Sequence, residues 1–203
     1  LSSIKKENIS RLAQVDKTAM DHIKSINDDG LYAVPHTWGN YGILYNTSLT
    51  DTVPDSWQVL WDTKNKGDII MPDSMREDFM IALLKNGHSI NSEDKSEIEE
   101  ATAELITQKP LVYKYSNDAA RDLMIGGAAA FAVIPSGEAI YAMQENEDLR
   151  YVVPSEGTEL WSDLWCVPKA SQSPDNAEKF IDFMLDSGNA YANFEYLTYA
   201  IPN

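Results

Sequence analysis

The sequence predicts an α/β protein whose sheet is largely parallel and covered by helices on both faces. Three observations predict it. Strand-like runs and helix-period segments alternate along the whole chain. The helical segments open on Asp, Ser or Pro and close on Gly, as helix termini do. The chain has 203 residues and 43% hydrophobic content, enough for one well-buried domain or two small ones.

In order, residues 4–28 read as helix, broken once, with Ile9, Leu12 and Val15 on one stripe and Ala19, Met20, Ile23 and Ile26 on another. Asp28-Asp29-Gly30 is a turn. Leu31–Pro35 reads as a strand, 36–42 as an aromatic, glycine-containing stretch, and Ile43–Asn46 as a second strand. Asp55-Ser56 can cap a short helix holding Trp57, Val59, Leu60 and Trp61. Asp68–Met71 is a strand. A helix then starts at Asp73-Ser74 and ends at Gly87, a good C′ residue. Asn91-Ser92 opens a Glu-rich helix to Lys109-Pro110. Leu111–Tyr115 is a strand, and 118–125 a helix stopped by Gly126-Gly127. Ala128–Ile134 is a buried strand followed by a helix over 137–144. Leu149–Val153 and Leu160–Val167 are strands. Ser173-Pro174 starts a long helix, with proline suited to the first turn, and a last helix covers 188–197.

Formal net charge is −16, from 32 acidic and 16 basic side chains. Such a chain repels phosphate backbones, so nucleic acid is not a partner, and it attracts polycations; an acidic surface also simply keeps a protein soluble. No apolar run is long enough to span a bilayer. The first residues already approach a helix, with no basic leader or lipobox. The chain is therefore a cytosolic protein or a mature piece freed of its export signal. The single cysteine, Cys166, excludes an internal disulfide and sits in an apolar run, as a buried core thiol does. The three histidines have no metal spacing, so no metal or cofactor is expected. No nucleophile elbow, phosphate loop or dinucleotide fingerprint occurs, so the chain does not read as an enzyme.

Three segments could bind a ligand. In Leu160-Trp161-Ser162-Asp163, a strand would place Trp161 and Asp163 on one face. An indole face beside a carboxylate suits an alkylammonium ion, through cation–π attraction and a charge-assisted hydrogen bond. A packed Trp with a solvated Asp explains the same pair. In Pro72-Asp73-Ser74-Met75-Arg76-Glu77, a strand's end meets a helix start, where open α/β sheets bind ligands. Those residues are equally explained by a capping box of Glu77 with Asp73 or Ser74, with Arg76 pairing the acids. Tyr199, near the end, is either a core tyrosine or a pocket wall.

Taken in order, several segments resemble one family: Tyr32–Gly39, Gly42–Asn46, Asp55-Ser56-Trp57 with Leu60-Trp61, and Lys66–Glu77. They continue with Met124–Gly127, Val153–Gly157, Leu160–Asp163, Val167-Pro168 and Tyr199–Asn203. This series is similar to the spermidine/putrescine-binding proteins of polyamine ABC importers, over nearly the whole chain. The resemblance implies a periplasmic-binding-protein type II fold of two α/β lobes, with the ligand between lobes that close by hinge motion. It implies that the chain is one contiguous lobe, residues 1–203, because family members have a further segment before it and more helices after it. Implied partners are a polyamine, the permease subunits of the importer and the missing N-terminal lobe; the implied location is outside the cytoplasm, periplasmic or lipid-anchored. The resemblance gives Trp161, Asp163, Tyr199 and Glu77 as ligand residues. The family Asp falls on Ser74, and Asp73 beside it is expected to substitute. A family Trp falls on Pro135, where Glu138 could add a carboxylate. Related lobes bind other solutes such as iron, thiamine, sugars or anions; an anion binder would show basic residues where this chain has acids.

Overall fold

A computed structural model describes residues 1–203. Its strands are β1 (Ala33–Asn46), β2 (Ile69–Met71), β3 (Val112–Tyr115), β4 (Phe131–Pro135), β5 (Leu149–Val152) and β6 (Leu160–Cys166). Its α-helices are α1 (Lys17–His22), α2 (Met75–Lys85), α3 (Lys95–Gln108), α4 (Ala120–Ile125), α5 (Ser136–Glu145), α6 (Pro174–Met184) and α7 (Ser187–Leu197). The strand order is β3-β2-β4-β1-β5, with β6 paired to β1. β2 runs parallel to β3 and β4, and β1 runs antiparallel to β4 and β5. The chain folds as two compact units, one of residues 40–160 and one of residues 1–39 with 161–203.

In residues 40–160 the sheet is covered on both faces, as the α/β reading requires. Apolar neighbours along each strand part to opposite sides. Ile43, Ile69, Met71, Phe131 and Val133 pack with Trp57, Leu60, Met80 and Ile81. Leu44, Ile70, Ala132 and Ile134 pack with Met124, Ala139, Ala142 and Leu149. Each fully buried large side chain contributes about 1.5–3 kcal/mol. The other unit has its own core of Ile4, Ile9, Val15, Leu31, Val34, Val167, Ile181 and Leu185.

Most predicted termini hold. Ser56 caps a 3₁₀ run over Trp57–Trp61 by accepting from the Gln58 backbone N–H. Gly87, at φ 79°, closes α2: its N–H donates to the Leu84 carbonyl, and the His88 N–H to Leu83, both at 2.9 Å. Gly127, at φ 70°, follows α4, and Pro174 opens α6.

Three expectations are corrected. Residues 4–28 are not a helix broken once but three short 3₁₀ turns and the six-residue α1. Carboxylates of α6 hold this segment's backbone from outside: Glu178 accepts from the Lys5 N–H and Asp182 from the Arg11 N–H. Asp16 then starts α1 afresh by capping Thr18 and Ala19. The two strands expected around the aromatic stretch are the single 14-residue β1. Gly42 serves close packing within it: a Cβ there would lie 2.5 Å from the Tyr151 ring and from the Val152 carbonyl oxygen. Cys166 is only partly buried, because β6 ends there before the apolar core begins at Val167.

Candidate functional site

The predicted residues divide between the units. Trp161, Asp163 and Tyr199 belong to residues 1–39 with 161–203, and Asp73, Ser74 and Glu77 to residues 40–160.

In the first group, β6 is a strand through both Trp161 and Asp163, so their two-residue spacing keeps them on one side. Tyr199 meets Trp161 edge-on, with ring centroids 5.2 Å apart at 69°. That arrangement leaves aromatic surface of the kind that packs on methylenes. The Trp161 indole N–H is buried without a protein acceptor. Asp163 is exposed, and its Oδ2 accepts from the buried Thr37 hydroxyl at 2.9 Å. Thr37 thereby fixes the carboxylate's orientation and leaves Oδ1 open. His36 lies tilted against Trp165, with ring centroids 4.2 Å apart at 41°. Burial lowers the His36 pKa, and the nearby Asp163 charge opposes the shift. The segment bearing Tyr199 is held by the Trp38 backbone N–H donating to the Ala200 carbonyl at 2.9 Å. Just before it, Thr198 lies at φ 61°, a left-handed conformation that a β-branched residue adopts at a cost.

In the second group, Ser74 takes the N-cap position of α2 without a side-chain cap bond, and the predicted capping box does not form. Glu77 Oε2 and Asp78 Oδ1 are instead buried without a protein donor. Asp73 is exposed; its backbone N–H donates to Asn117 Oδ1 and its carbonyl accepts from Asn117 Nδ2, which fixes the turn into α2. Arg76 does not clamp the acids beside it. Its Nη2 donates to Asn91 Oδ1, and its Nε lies 3.9 Å from Glu159 Oε2. The Glu159 side chain is only 12% exposed. Burial raises its pKa, and Glu77 raises it further, against Arg76. The Asp78 carboxyl is pushed up to about 7 by burial, then by Glu77 and Asp73. The Tyr41 hydroxyl is pushed up to about 12 by burial, then by Glu77 and Glu159. Asp78 also lines an open hollow of about 360 Å³ with Phe79, Leu105, Ile106, Lys109 and Tyr115.

Negative charge here exceeds positive, and buried carboxylate oxygens lack donors. Such a group has a standing demand for cationic donors. Glu138 does not add to it, because Arg121 holds its carboxylate at 3.0 Å. Sequence reasoning missed Thr37, Tyr41, Asp78 and Glu159. Asp78 follows Glu77 directly and was the one open to detection. No group of His, Cys, Asp and Glu side chains is arranged to hold a metal ion.

One unit thus carries an aromatic pair beside Asp163 on β6, and the other a group of carboxylates at the start of α2. The family described as bacterial extracellular solute-binding protein matches residues 3–203, and the chain belongs to it. That family binds solutes and is not a class of enzymes. Among relatives, the chain is 30% identical to the spermidine/putrescine-binding periplasmic protein of Escherichia coli (strain K12), over 100% of this chain and 58% of that protein. It is 29% identical to the putrescine/cadaverine-binding protein of Pseudomonas aeruginosa, over 89% of this chain and 55% of that one. Among solved structures, it is similar to the spermidine/putrescine ABC transporter substrate-binding protein of Streptococcus pneumoniae. There the TM-score is 0.87 and the identity 33%, over 100% of this chain and 62% of that one. A lipoprotein of Treponema pallidum shares the fold at a TM-score of 0.89 and 20% identity, over 100% of this chain and 66% of that one. The chain thus spans a little over half the length of the curated relatives it matches. No helix is long and apolar enough to cross a membrane.

Proposed function

We propose that the chain is a polyamine-binding lobe of the solute-binding component of an ABC importer. In its parent protein it works outside the cytoplasm, takes spermidine or putrescine in the cleft facing the partner lobe, and delivers it to the permease. Asp73, Glu77 and Asp163 would meet ammonium groups, and Trp161 and Tyr199 would lie against methylenes. Ser74 stands beside Asp73 as an uncharged contact. The observation behind this reading is the surplus of buried, donorless carboxylate oxygen at Glu77 and Asp78, while Arg76 beside them is held by Asn91. Ammonium groups would supply the missing donors. The relatives' names point the same way.

Heteronuclear NMR titration of the 203-residue chain with spermidine tests the reading, because it registers weak binding. Trp161→Ala and Asp163→Asn should each weaken binding roughly tenfold, as loss of a cation–π contact or a charge-assisted hydrogen bond does. Equal binding by wild type and both variants would exclude the Trp161–Asp163 assignment. Shifts with sugars or oxyanions but none with amines would exclude the polyamine reading.

A further inference from the structure

Glu159 is assigned no role by the family resemblance, yet it is built into the structure with care. The loop leading to it is tied down at three successive residues. Glu156 accepts from the Ser56 hydroxyl and the Trp57 backbone N–H, and the Trp57 indole N–H donates to the Gly157 carbonyl at 2.9 Å. The Thr158 hydroxyl donates to the Tyr41 carbonyl at 2.7 Å. Gly157, at φ 90°, makes the turn that permits this. A carboxylate placed by such a loop is preorganised at little further entropic cost. The cation beside it is distant. The Arg76 Nε, at 3.9 Å, is beyond hydrogen-bond length, and the Arg76 side chain is 59% exposed with its Nη2 committed to Asn91. The neighbouring carboxylate, close enough to raise the Glu159 pKa, is Glu77, whose Oε2 is buried and donorless.

We propose that Glu159 is a further ligand-binding residue, and that with Glu77 it takes a primary ammonium terminus of the ligand. This rests on the polyamine reading above and adds to it a residue and a preference. A primary ammonium carries three N–H donors and no acceptor, so it can serve two carboxylates at once. A tertiary ammonium of equal charge has one N–H and cannot. Burial, then the charges of Glu77 and Glu159, raise the pKa of Tyr41, so its hydroxyl stays protonated and adds no competing charge. Arg76 reaches Glu159 only at 3.9 Å and yields to an ammonium with better geometry.

Titrations of putrescine and its N,N,N′,N′-tetramethyl derivative into the wild-type chain and two variants, read by NMR, test this. Wild type is expected to prefer putrescine. Glu159→Gln keeps the shape, and should lose roughly tenfold or more in putrescine affinity and most of the preference, with a thermal midpoint unchanged or raised because repulsion with Glu77 is relieved. Arg76→Gln, on an exposed side chain, should bind putrescine severalfold tighter. Unchanged affinity in Glu159→Gln overturns the proposal and leaves the polyamine reading standing. Loss of affinity only together with loss of stability overturns it in favour of a structural role, as does unchanged or weaker binding by Arg76→Gln. No binding of either amine by wild type overturns both readings.

Discussion

Asp78 shows how a single residue records the tension of a cation-seeking site. Its carboxyl is pushed up to about 7 from an ordinary value of 3.8, first by burial and then by Glu77 and Asp73. Lys109 and Tyr115 border its outer side, and Tyr115 is raised in turn by burial and by Asp78. Folding therefore favours the protonated acid. Below about pH 4 both folded and unfolded chains hold the proton, and the group costs nothing. As pH rises toward about 7 the unfolded chain releases its proton first, so this residue's contribution to stability falls; above that the loss is complete. Asp78→Asn imitates the protonated acid at every pH. It should raise the thermal midpoint at pH 8 by a few degrees and leave it nearly unchanged at pH 4. Calorimetric melts at the two pH values check this, and equal shifts at both would refute the burial argument. A proximity of this kind is invisible in one dimension. Glu159 and Glu77 lie far apart in the sequence, and nothing in the text of either segment pairs them. Thr37 is the same case: its role depends on the pairing of β6 with β1, which no local pattern encodes.

At the scale of elements the sequence was far more legible, wherever the cause was local. Short continuous apolar runs mark the strands, and Ser56, Gly87, Gly127 and Pro174 mark termini through their own backbone chemistry. The segment before α1 failed because its cause is distant. Lys5 and Arg11 donate backbone N–H groups to Glu178 and Asp182, side chains some 170 residues on, so helix-like apolar spacing is overridden. Glu178 is the key to that arrangement. It is 2% exposed and accepts from the Lys5 N–H at 3.1 Å and from Asn8 Nδ2 at 2.5 Å. Glu178→Ala strips a buried acceptor from two donors and should cost about 1–3 kcal/mol. The thermal midpoint should fall by several degrees, and limited proteolysis should cut earliest near residues 5–11. Glu178→Gln keeps one acceptor oxygen and should lose less. Cleavage first at any loop of residues 40–160 would show that Glu178 does not hold this segment.

Across the whole molecule, the net charge of −16 acts before any contact is made. Most of the acidic excess lies in residues 40–160, the unit that holds Glu77, Asp78 and Glu159. Fields of that sign raise the local concentration of polycations and speed their encounter, within a reach set by salt. The Debye length is about 10 Å at 0.1 M ionic strength and about 3 Å at 1 M. Long-range attraction is therefore screened across that interval, while short contacts to a buried carboxylate are screened much less. Affinity for spermidine should fall roughly tenfold between low and high salt. Putrescine, with one charge fewer, should lose less over the same range. The ratio between the two ligands then separates attraction by the overall field from recognition at the carboxylates. NMR titrations of both amines from 50 mM to 1 M sodium chloride measure it. A salt response equal for the two amines would show that the overall charge plays no part in capture and that the local carboxylates act alone.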